Sequence, residues 1–210
     1  RIDQVMLGVM STNTEVGNYA AAVRISEVWN FIPIAICASV FPAIIRAKQN
    51  SKEQYQQKIQ QLYDSIAWIA IILAVGIGLS AQTIMPWLLG EEYIAAGKIL
   101  IVHIWSAPFA FLGIAGCQWL MVEDLSHFTF LLTSLGTISN ILLNWLLIPH
   151  FHGLGAAIAT AISYAIASHL VFLLSPRLFY NGWMLTKALF IPIRISDNLN
   201  YLKSIKKMFF

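Results

Sequence analysis

The chain has 210 residues, of which 58% are hydrophobic and only 11% are charged. A soluble domain carries about 25% charged residues, so this composition excludes an ordinary soluble enzyme. The net charge of +3 is too small to indicate a nucleic-acid partner. Long apolar runs alternate with short polar segments, and a membrane-spanning helix needs about 20 mainly apolar residues. The sequence therefore predicts an all-α membrane protein, a polytopic helical bundle.

Six apolar runs predict one partial and five full membrane spans. The first run, within 1–10, is too short to cross a bilayer, and we expect it to be the end of a helix in a C-terminal fragment. Pro33 and Pro42 should kink the first full span because each removes a backbone donor, and Pro108 lies inside the third. Lipid offers backbone groups no partners, so the spans must be helices. The full spans are predicted at 16–45, 66–89, 99–122, 128–148 and 154–174.

Lysine and arginine are concentrated in two polar regions. The linker 46–58 contains four of them and the tail 175–210 contains six, whereas the turns 11–15 and 149–153 contain none. Because positive residues accumulate in cytoplasmic loops, the linker and the C-terminus are expected in the cytoplasm. One turn, at Glu123 and Asp124, is acidic although this scheme puts it on the cytoplasmic side.

The tail 175–210 differs from the bundle 1–174. Its stretch 183–193 is apolar but too short to span. Leu199, Leu202, Ile205 and Phe209 then recur at helical spacing with lysines on the opposite side. This pattern is typical of an amphipathic helix on the cytoplasmic membrane surface, and the alternative is a disordered basic tail.

Three charged residues lie within the predicted spans, where charge is costly. Asp3 precedes the turn at Ser11 by about eight residues and Arg24 follows that turn by a similar distance, so an antiparallel hairpin puts both at one depth. Glu27 is one helical turn from Arg24. One interpretation is a structural ion pair that orients two helices. The other is a polar patch facing a central cavity, where a carboxylate exchanges a proton or Na⁺.

A polar stripe occupies one face of the fourth full span, at Thr133, Thr137, Asn140 and Asn144. In lipid this stripe must face protein or water. It predicts either interhelical hydrogen bonds, worth about 0.6 kcal/mol each, or the wall of a cavity.

Catalytic and metal-binding patterns are not found in the sequence. Cys37 and Cys117 lie in apolar runs without CxxC spacing, and the histidines form no ligand set. We therefore expect no catalytic residues, no cofactor and no metal, and we expect that the protein is not an enzyme.

Four stretches resemble, in order and spacing, the Wzx-type polysaccharide flippases of the MATE-like MOP superfamily. They are 1–8 (RIDQVMLG), 19–42 (YAAAVRISEVWNFIPIAICASVFP), 101–122 (IVHIWSAPFAFLGIAGCQWLMV) and 140–164 (NILLNWLLIPHFHGLGAAIATAISY).

This resemblance implies a fold of about twelve spanning helices in two six-helix bundles, with the substrate between them. The chain would then be the second bundle of a multi-pass protein of the bacterial inner membrane, lacking the N-terminal bundle. The implied activity is transfer of an undecaprenyl-diphosphate-linked oligosaccharide to the outer leaflet for O-antigen, lipopolysaccharide or exopolysaccharide synthesis. The resemblance makes Arg24 the candidate diphosphate contact, and Asp3 and Glu27 candidates for coupling to H⁺ or Na⁺.

Two departures from the family pattern bear on this interpretation. The family cavity is cationic, whereas the cluster of Asp3, Arg24 and Glu27 is net negative, and the inner turn EDLSH at 123–127 replaces basic residues. An alternative is a cation-coupled exporter of drugs or other small amphipathic cations from the same superfamily. An acidic cavity without an essential arginine would favour the exporter, and the motif around Arg24 favours the flippase.

Overall fold

The structure is a computed structural model that describes residues 2–194. Its α-helices are α1 (Ile2–Met10), α2 (Asn13–Glu27), α3 (Phe31–Asn50), α4 (Lys52–Leu89), α5 (Ile94–His103), α6 (Ala107–Val122), α7 (His127–Ala165), α8 (Val171–Leu174) and α9 (Phe179–Leu189). Short 3₁₀ turns join α2 to α3, α4 to α5 and α5 to α6, and a π-helical turn, Ile166–Leu170, joins α7 to α8. No strand occurs in this part of the chain.

Four helical segments within 2–194 are long and apolar enough to cross a membrane: 13–50, 52–89, 91–122 and 127–174. This confirms the prediction of an all-α polytopic membrane protein. The fourth segment is broken at His152, where φ is 48° and ψ is −127°. A Cβ atom at Gly155 would lie 2.5 Å from the Leu147 carbonyl oxygen, and one at Gly136 would lie 3.0 Å from the Ala167 Cβ. The first arm of α7 (127–151) and its second arm (153–165) therefore form an antiparallel hairpin, at the predicted turn 149–153.

Two prolines are each preceded by a 3₁₀ turn. A proline ring clashes with the carbonyl group four residues earlier. For Pro33 that residue is Trp29, inside the turn Val28–Asn30. For Pro108 it is Ile104, the first residue of the turn 104–106. The helix continues through Pro42 without such a turn.

The linker 46–58 is helical, since α3 extends to Asn50 and α4 begins at Lys52. Ser51 alone separates the two helices, and its Oγ accepts a hydrogen bond from the Gln54 backbone N–H at 3.1 Å. This is an ordinary N-cap, which stabilises the start of α4. At a rise of 1.5 Å per residue, the 38-residue α4 is about 57 Å long and exceeds the bilayer core of about 30 Å.

The acidic turn after α6 contacts this linker. Lys48 Nζ lies 2.8 Å from the Val122 carbonyl oxygen and 3.2 Å from Glu123 Oε2. The Tyr55 hydroxyl donates a hydrogen bond to Glu123 Oε1. The linker and the turn 123–126 therefore lie at the same end of the bundle, which we call the basic end.

The tail packs against the bundle over its described part, rather than lying apart from it. The Tyr63 hydroxyl donates to Asn181 Oδ1 at 2.9 Å, and Arg194 Nη1 lies 3.2 Å from Oδ1 of the buried Asp64. The packed bundle therefore continues to Ile193, beyond the predicted boundary at 174. The physical reason is the polar and apolar buried face of α9, which includes Asn181 and Leu185. The predicted amphipathic stretch 199–209 lies outside the described residues.

At the opposite end of the bundle, α2 supports the break in α7. Glu15 Oε2 accepts a hydrogen bond from the Gly153 backbone N–H at 3.0 Å, and Ser11 Oγ lies 3.1 Å from His152 Nδ1. The first N–H groups of a helix have no acceptor within that helix, so Glu15 supplies one to the second arm. This contact holds the second arm beside α1 and α2, where the candidate site lies.

Candidate functional site

A cavity of about 690 Å³ lies within the bundle. Its wall is built by α1, the junction of α2 and α3, α6, both arms of α7, the π-helical turn and α8. Its lining combines apolar side chains with carboxylates, amides and hydroxyls. The polar side chains of the wall include Asp3, Glu27, Asn30, Gln118, Thr133, Thr137, Asn140, Thr160 and Ser168.

Asp3 is joined to two other helices by a short series of hydrogen bonds. The Tyr19 hydroxyl of α2 donates to Asp3 Oδ2 at 2.6 Å, and its oxygen lies 3.2 Å from Thr160 Oγ1 in the second arm of α7. Tyr19 is fully buried, and Thr160 also donates to the Ala156 carbonyl oxygen at 2.9 Å. Asp3 and Thr160 both line the cavity, so this network connects the cavity surface to the core of the bundle.

The predicted ion pair of Arg24 with Asp3 or Glu27 is not present among residues 2–194. Arg24 is exposed and does not line the cavity, whereas Glu27 lines it and is half-buried. The hairpin does bring α1 and α2 together, but Asp3 faces Tyr19 of the partner helix. A similar depth in the hairpin therefore did not pair Asp3 with Arg24. Asp3 contacts the buried face of α2 at Tyr19, whereas Arg24 lies on the exposed face of α2.

Three residues of the polar stripe face the cavity, and the fourth is buried in the packed core of the bundle. Thr133, Thr137 and Asn140 line the cavity. Asn144 is buried behind them and donates from Nδ2 to Asn140 Oδ1 at 2.9 Å. The stripe therefore combines a cavity-facing part with a hydrogen bond within α7.

Several residues in or next to the cavity wall were not singled out in the sequence. Tyr19 and Thr160 lie in segments that resemble flippases, but nothing in the spacing joined them to Asp3. Asn30 and Gln118 are single polar residues in apolar runs, a weak signal that only the folded arrangement makes meaningful. His103 packs edge-on against Tyr19, with ring centroids 6.0 Å apart.

The π-helical turn places one polar residue on the cavity and one in the core. Ser168 lines the cavity, and its Oγ lies 2.7 Å from Nδ1 of the buried His169. The His169 ring packs edge-on against Phe109 at 5.6 Å. His169 therefore belongs to the packed core of the bundle.

Charge in the lining is acidic over the described residues. Asp3 and Glu27 contribute carboxylates, and the wall contains no lysine, arginine or histidine from 2–194. The cationic cavity implied by the resemblance is therefore not formed by this part of the chain.

The fold and this cavity define the chain as an all-α polytopic membrane protein that contains a cavity with polar side chains in its wall. A family model described as "Polysaccharide biosynthesis protein" matches residues 1–97. This region contains Asp3, Tyr19, Arg24 and Glu27. No solved structure matches the chain.

Two curated proteins of the archaeon Haloferax volcanii are similar to the chain. The probable low-salt glycan biosynthesis flippase Agl15 is 25% identical over 169 residues, which cover 79% of this chain and 35% of that protein. The probable flippase AglR is 31% identical over 183 residues, which cover 84% of this chain and 38% of that protein. The chain therefore spans little more than a third of the length of either relative. These comparisons confirm the resemblance to polysaccharide flippases.

Proposed function

We propose that the protein containing this chain is a flippase for a lipid-linked oligosaccharide. Its substrate would be an undecaprenyl-diphosphate-linked glycan, moved from the inner to the outer leaflet of a bacterial inner membrane for O-antigen or exopolysaccharide synthesis. The observation that carries the proposal is the cavity of about 690 Å³ inside an apolar bundle, with carboxylates, amides and hydroxyls in a mainly apolar wall. Similarity to two flippases, one of them named for glycan biosynthesis, supports it. Such a protein moves its substrate without making or breaking covalent bonds, so it is not an enzyme.

We assign the diphosphate contact to Arg24. Its side chain is exposed one helical turn from Glu27, which lines the cavity. A guanidinium in contact with lipid tails is costly, so Arg24 needs water or an anion beside it. Its five N–H donors suit phosphate oxygens. A second, N-terminal bundle of the whole protein would face this side and supply the other cations that an anionic head group requires.

Asp3 is the proposed coupling site for H⁺ or Na⁺, with Glu27 as the second carboxylate. Asp3 Oδ2 and Thr160 Oγ1 both approach the Tyr19 hydroxyl, so a bound proton or cation at Asp3 would rearrange contacts on three helices. Such a link between ion binding and helix position is what coupled transport requires. In vesicles of the full-length protein, Asp3→Asn should abolish the dependence of transport on the H⁺ or Na⁺ gradient. An unchanged gradient dependence would contradict this role.

The acidic lining supports a second candidate, a cation-coupled exporter of small amphipathic cations. The Asp3 carboxylate borders the cavity and would attract such a substrate. The two candidates differ in what the cell loses when the gene is deleted.

Gene deletion tests the flippase proposal against this alternative. A flippase deletion should remove surface polysaccharide and leave its lipid-linked precursor in the inner leaflet, and the full-length gene should restore export. An exporter deletion should instead sensitise cells to cationic dyes and leave the polysaccharide intact. Normal surface polysaccharide in the deletion strain would refute the flippase.

A further inference from the structure

We propose that one face of α9 binds the head groups of an anionic phospholipid leaflet at the basic end of the bundle. No residue of α9 lines the cavity, so this inference does not depend on what the protein transports. Three observations carry it: the composition of the face, its level along the bundle and its charge.

The outward face of α9 is aromatic. Positions 179, 180, 183, 187 and 190 lie within about 100° of arc on a helix of 3.6 residues per turn. Within the described residues, four of these side chains are each more than half exposed, namely Phe179, Tyr180, Trp183 and Phe190, and Lys187 is also exposed. The opposite face of α9 is buried against the bundle. A helix face in contact with water is normally polar, so this face, which we call the aromatic face of α9, requires a different surrounding.

The contacts of α9 place it where α4 leaves the apolar layer. The Tyr63 hydroxyl donates to Asn181 Oδ1 at 2.9 Å, and Gln60 Nε2 donates to the Met184 carbonyl oxygen at 3.2 Å. The predicted apolar span of α4 begins at residue 66, so these contacts lie about 5–9 Å beyond it. The polar layer of a bilayer is about 5–8 Å thick on each side. α9 therefore lies at the level of the lipid head groups, where tryptophan and tyrosine are enriched because their rings are amphipathic.

The charge of the surface complements an anionic leaflet. Lys187 lies on the aromatic face, and Arg177 is exposed in the segment just before α9. Neither forms an ion pair with a carboxylate among residues 2–194. Basic side chains at this level attract lipid phosphates, and their long stems lie along apolar surface. Lysine is depleted in protein–protein interfaces, so its place among the aromatic rings favours lipid over a protein partner.

Photo-crosslinking identifies the molecule that covers this face. The full-length protein carries p-benzoylphenylalanine in place of Trp183 and is reconstituted in vesicles of equal parts phosphatidylcholine and phosphatidylglycerol. After illumination, mass spectrometry of the crosslinked peptides identifies the adducts. Separate variants carry the same photoprobe at two reference positions. Leu79, which is 84% exposed near the middle of the apolar part of α4, reports on bulk lipid, and Glu53, exposed near the start of α4, reports on water.

Position 183 should give phospholipid adducts, with a higher ratio of phosphatidylglycerol to phosphatidylcholine than position 79. Position 53 should give no lipid adducts. Lys187→Gln should lower the ratio at position 183 about fivefold, because one basic side chain at an anionic surface contributes about that factor. Lys98→Gln removes an exposed lysine near the start of α5, at the opposite end of the bundle, and is the matched control. It should leave the ratio unchanged.

Adducts of position 183 with peptides of the protein in place of lipid would show that another protein segment covers the face, and would overturn the proposal. A lipid ratio at position 183 equal to that at position 79 would also overturn it, since the face would then have no preference for anionic lipid. The total yield of lipid adducts verifies that α9 remains docked in Lys187→Gln. If that yield falls, Arg177→Gln, which changes a residue outside the helix, measures the charge effect in its place.

Discussion

The hydrogen-bond network at Asp3 has three contacts but only two hydroxyl protons, those of Tyr19 and Thr160. An ionised carboxylate only accepts, so the Tyr19 proton goes to Asp3 at 2.6 Å. The Thr160 proton then has two acceptors within reach, the Tyr19 oxygen at 3.2 Å and the Ala156 carbonyl at 2.9 Å. If Asp3 takes up a proton, the donors and acceptors of the network change, because a protonated carboxyl can also donate a hydrogen bond. The network therefore responds to the charge of one residue that borders the cavity.

Tyr19→Phe tests this network because it removes the hydroxyl and keeps the buried ring. Asp3 then loses a short hydrogen bond, and the free energy of unfolding should fall by about 1–3 kcal/mol. Thermal unfolding of the full-length protein in detergent measures the loss. Tyr180→Phe, at a side chain that is 54% exposed on α9, is the matched control. Equal melting temperatures for the two variants would contradict a stabilising role for the network.

Arg24→Ala should reduce transport about tenfold or more, since one lost charge-assisted contact is worth about 1.5–3 kcal/mol. Arg24 has no ion pair with Asp3 or Glu27 among residues 2–194, so its removal strands neither carboxylate and protein abundance should not change. Arg24→Lys keeps the charge but loses the planar fork, and partial transport should remain. Polysaccharide complementation normalised to membrane abundance is the measurement.

Arg46→Ala is the control for Arg24, because Arg46 is exposed at the basic end and does not line the cavity. It should leave transport unchanged. Wild-type complementation by Arg24→Ala would remove Arg24 from the substrate path and would favour the cation exporter.

Breaks within helices were predictable where they have a local chemical cause. Pro33 lacks an N–H group and disturbs the preceding turn, and the turn 149–153 combines a proline with a glycine, so both breaks can be located in the sequence. The helical form of the linker 46–58 was missed because polar residues there look like a loop. Ser51 was the available signal, since serine is a favoured N-cap.

The hairpin in α7 depends on Gly155, which has no side chain and so lets the second arm pack closely against the first. A Cβ atom there would lie 2.5 Å from the Leu147 carbonyl oxygen and 2.7 Å from its carbon, and backbone atoms cannot rotate away. Gly155→Ala should therefore force the two arms apart and lower the free energy of unfolding by about 1–3 kcal/mol or more. Thermal unfolding in detergent and membrane abundance measure this effect.

Gly76→Ala is the matched control, because a Cβ atom at Gly76 would meet nothing within 4 Å. Alanine is the better helix former, so this variant should be as stable as the wild type or slightly more so. A loss of stability equal to that of Gly155→Ala would show that the close approach of the two arms is not what matters.

At the scale of the molecule, composition predicted the class of fold and the helical spacing predicted the polar stripe. Thr133, Thr137 and Asn140 face the cavity together because they repeat at three and four residues on one helix. The partner of Asp3 was not predictable, because Tyr19 and Thr160 are distant in sequence and meet only when α1, α2 and the second arm of α7 pack. Similar depth in a hairpin does not determine which faces of two helices meet.

We predict the orientation of the molecule in the membrane from the two ends of the helical segment 13–50. The continuous segment 13–50 runs from the end where Glu15 caps the second arm of α7 to the basic end around Lys48. Positive residues near the spans favour the cytoplasm. Thr14 and Asn50 are exposed at opposite ends of this segment, so cysteines placed there report on opposite sides of the membrane.

In intact cells expressing the full-length protein, an impermeant maleimide should label Thr14→Cys and should not label Asn50→Cys. After permeabilisation, Asn50→Cys should also be labelled, which excludes burial as the cause of its protection. Peptide mass spectrometry assigns each modification and separates it from Cys117 in the cavity. Labelling of Asn50→Cys in intact cells, with Thr14→Cys protected, would invert the orientation. In that case Arg24 and Asp3, which lie nearer the Thr14 end of the bundle, would be closer to the cytoplasmic leaflet.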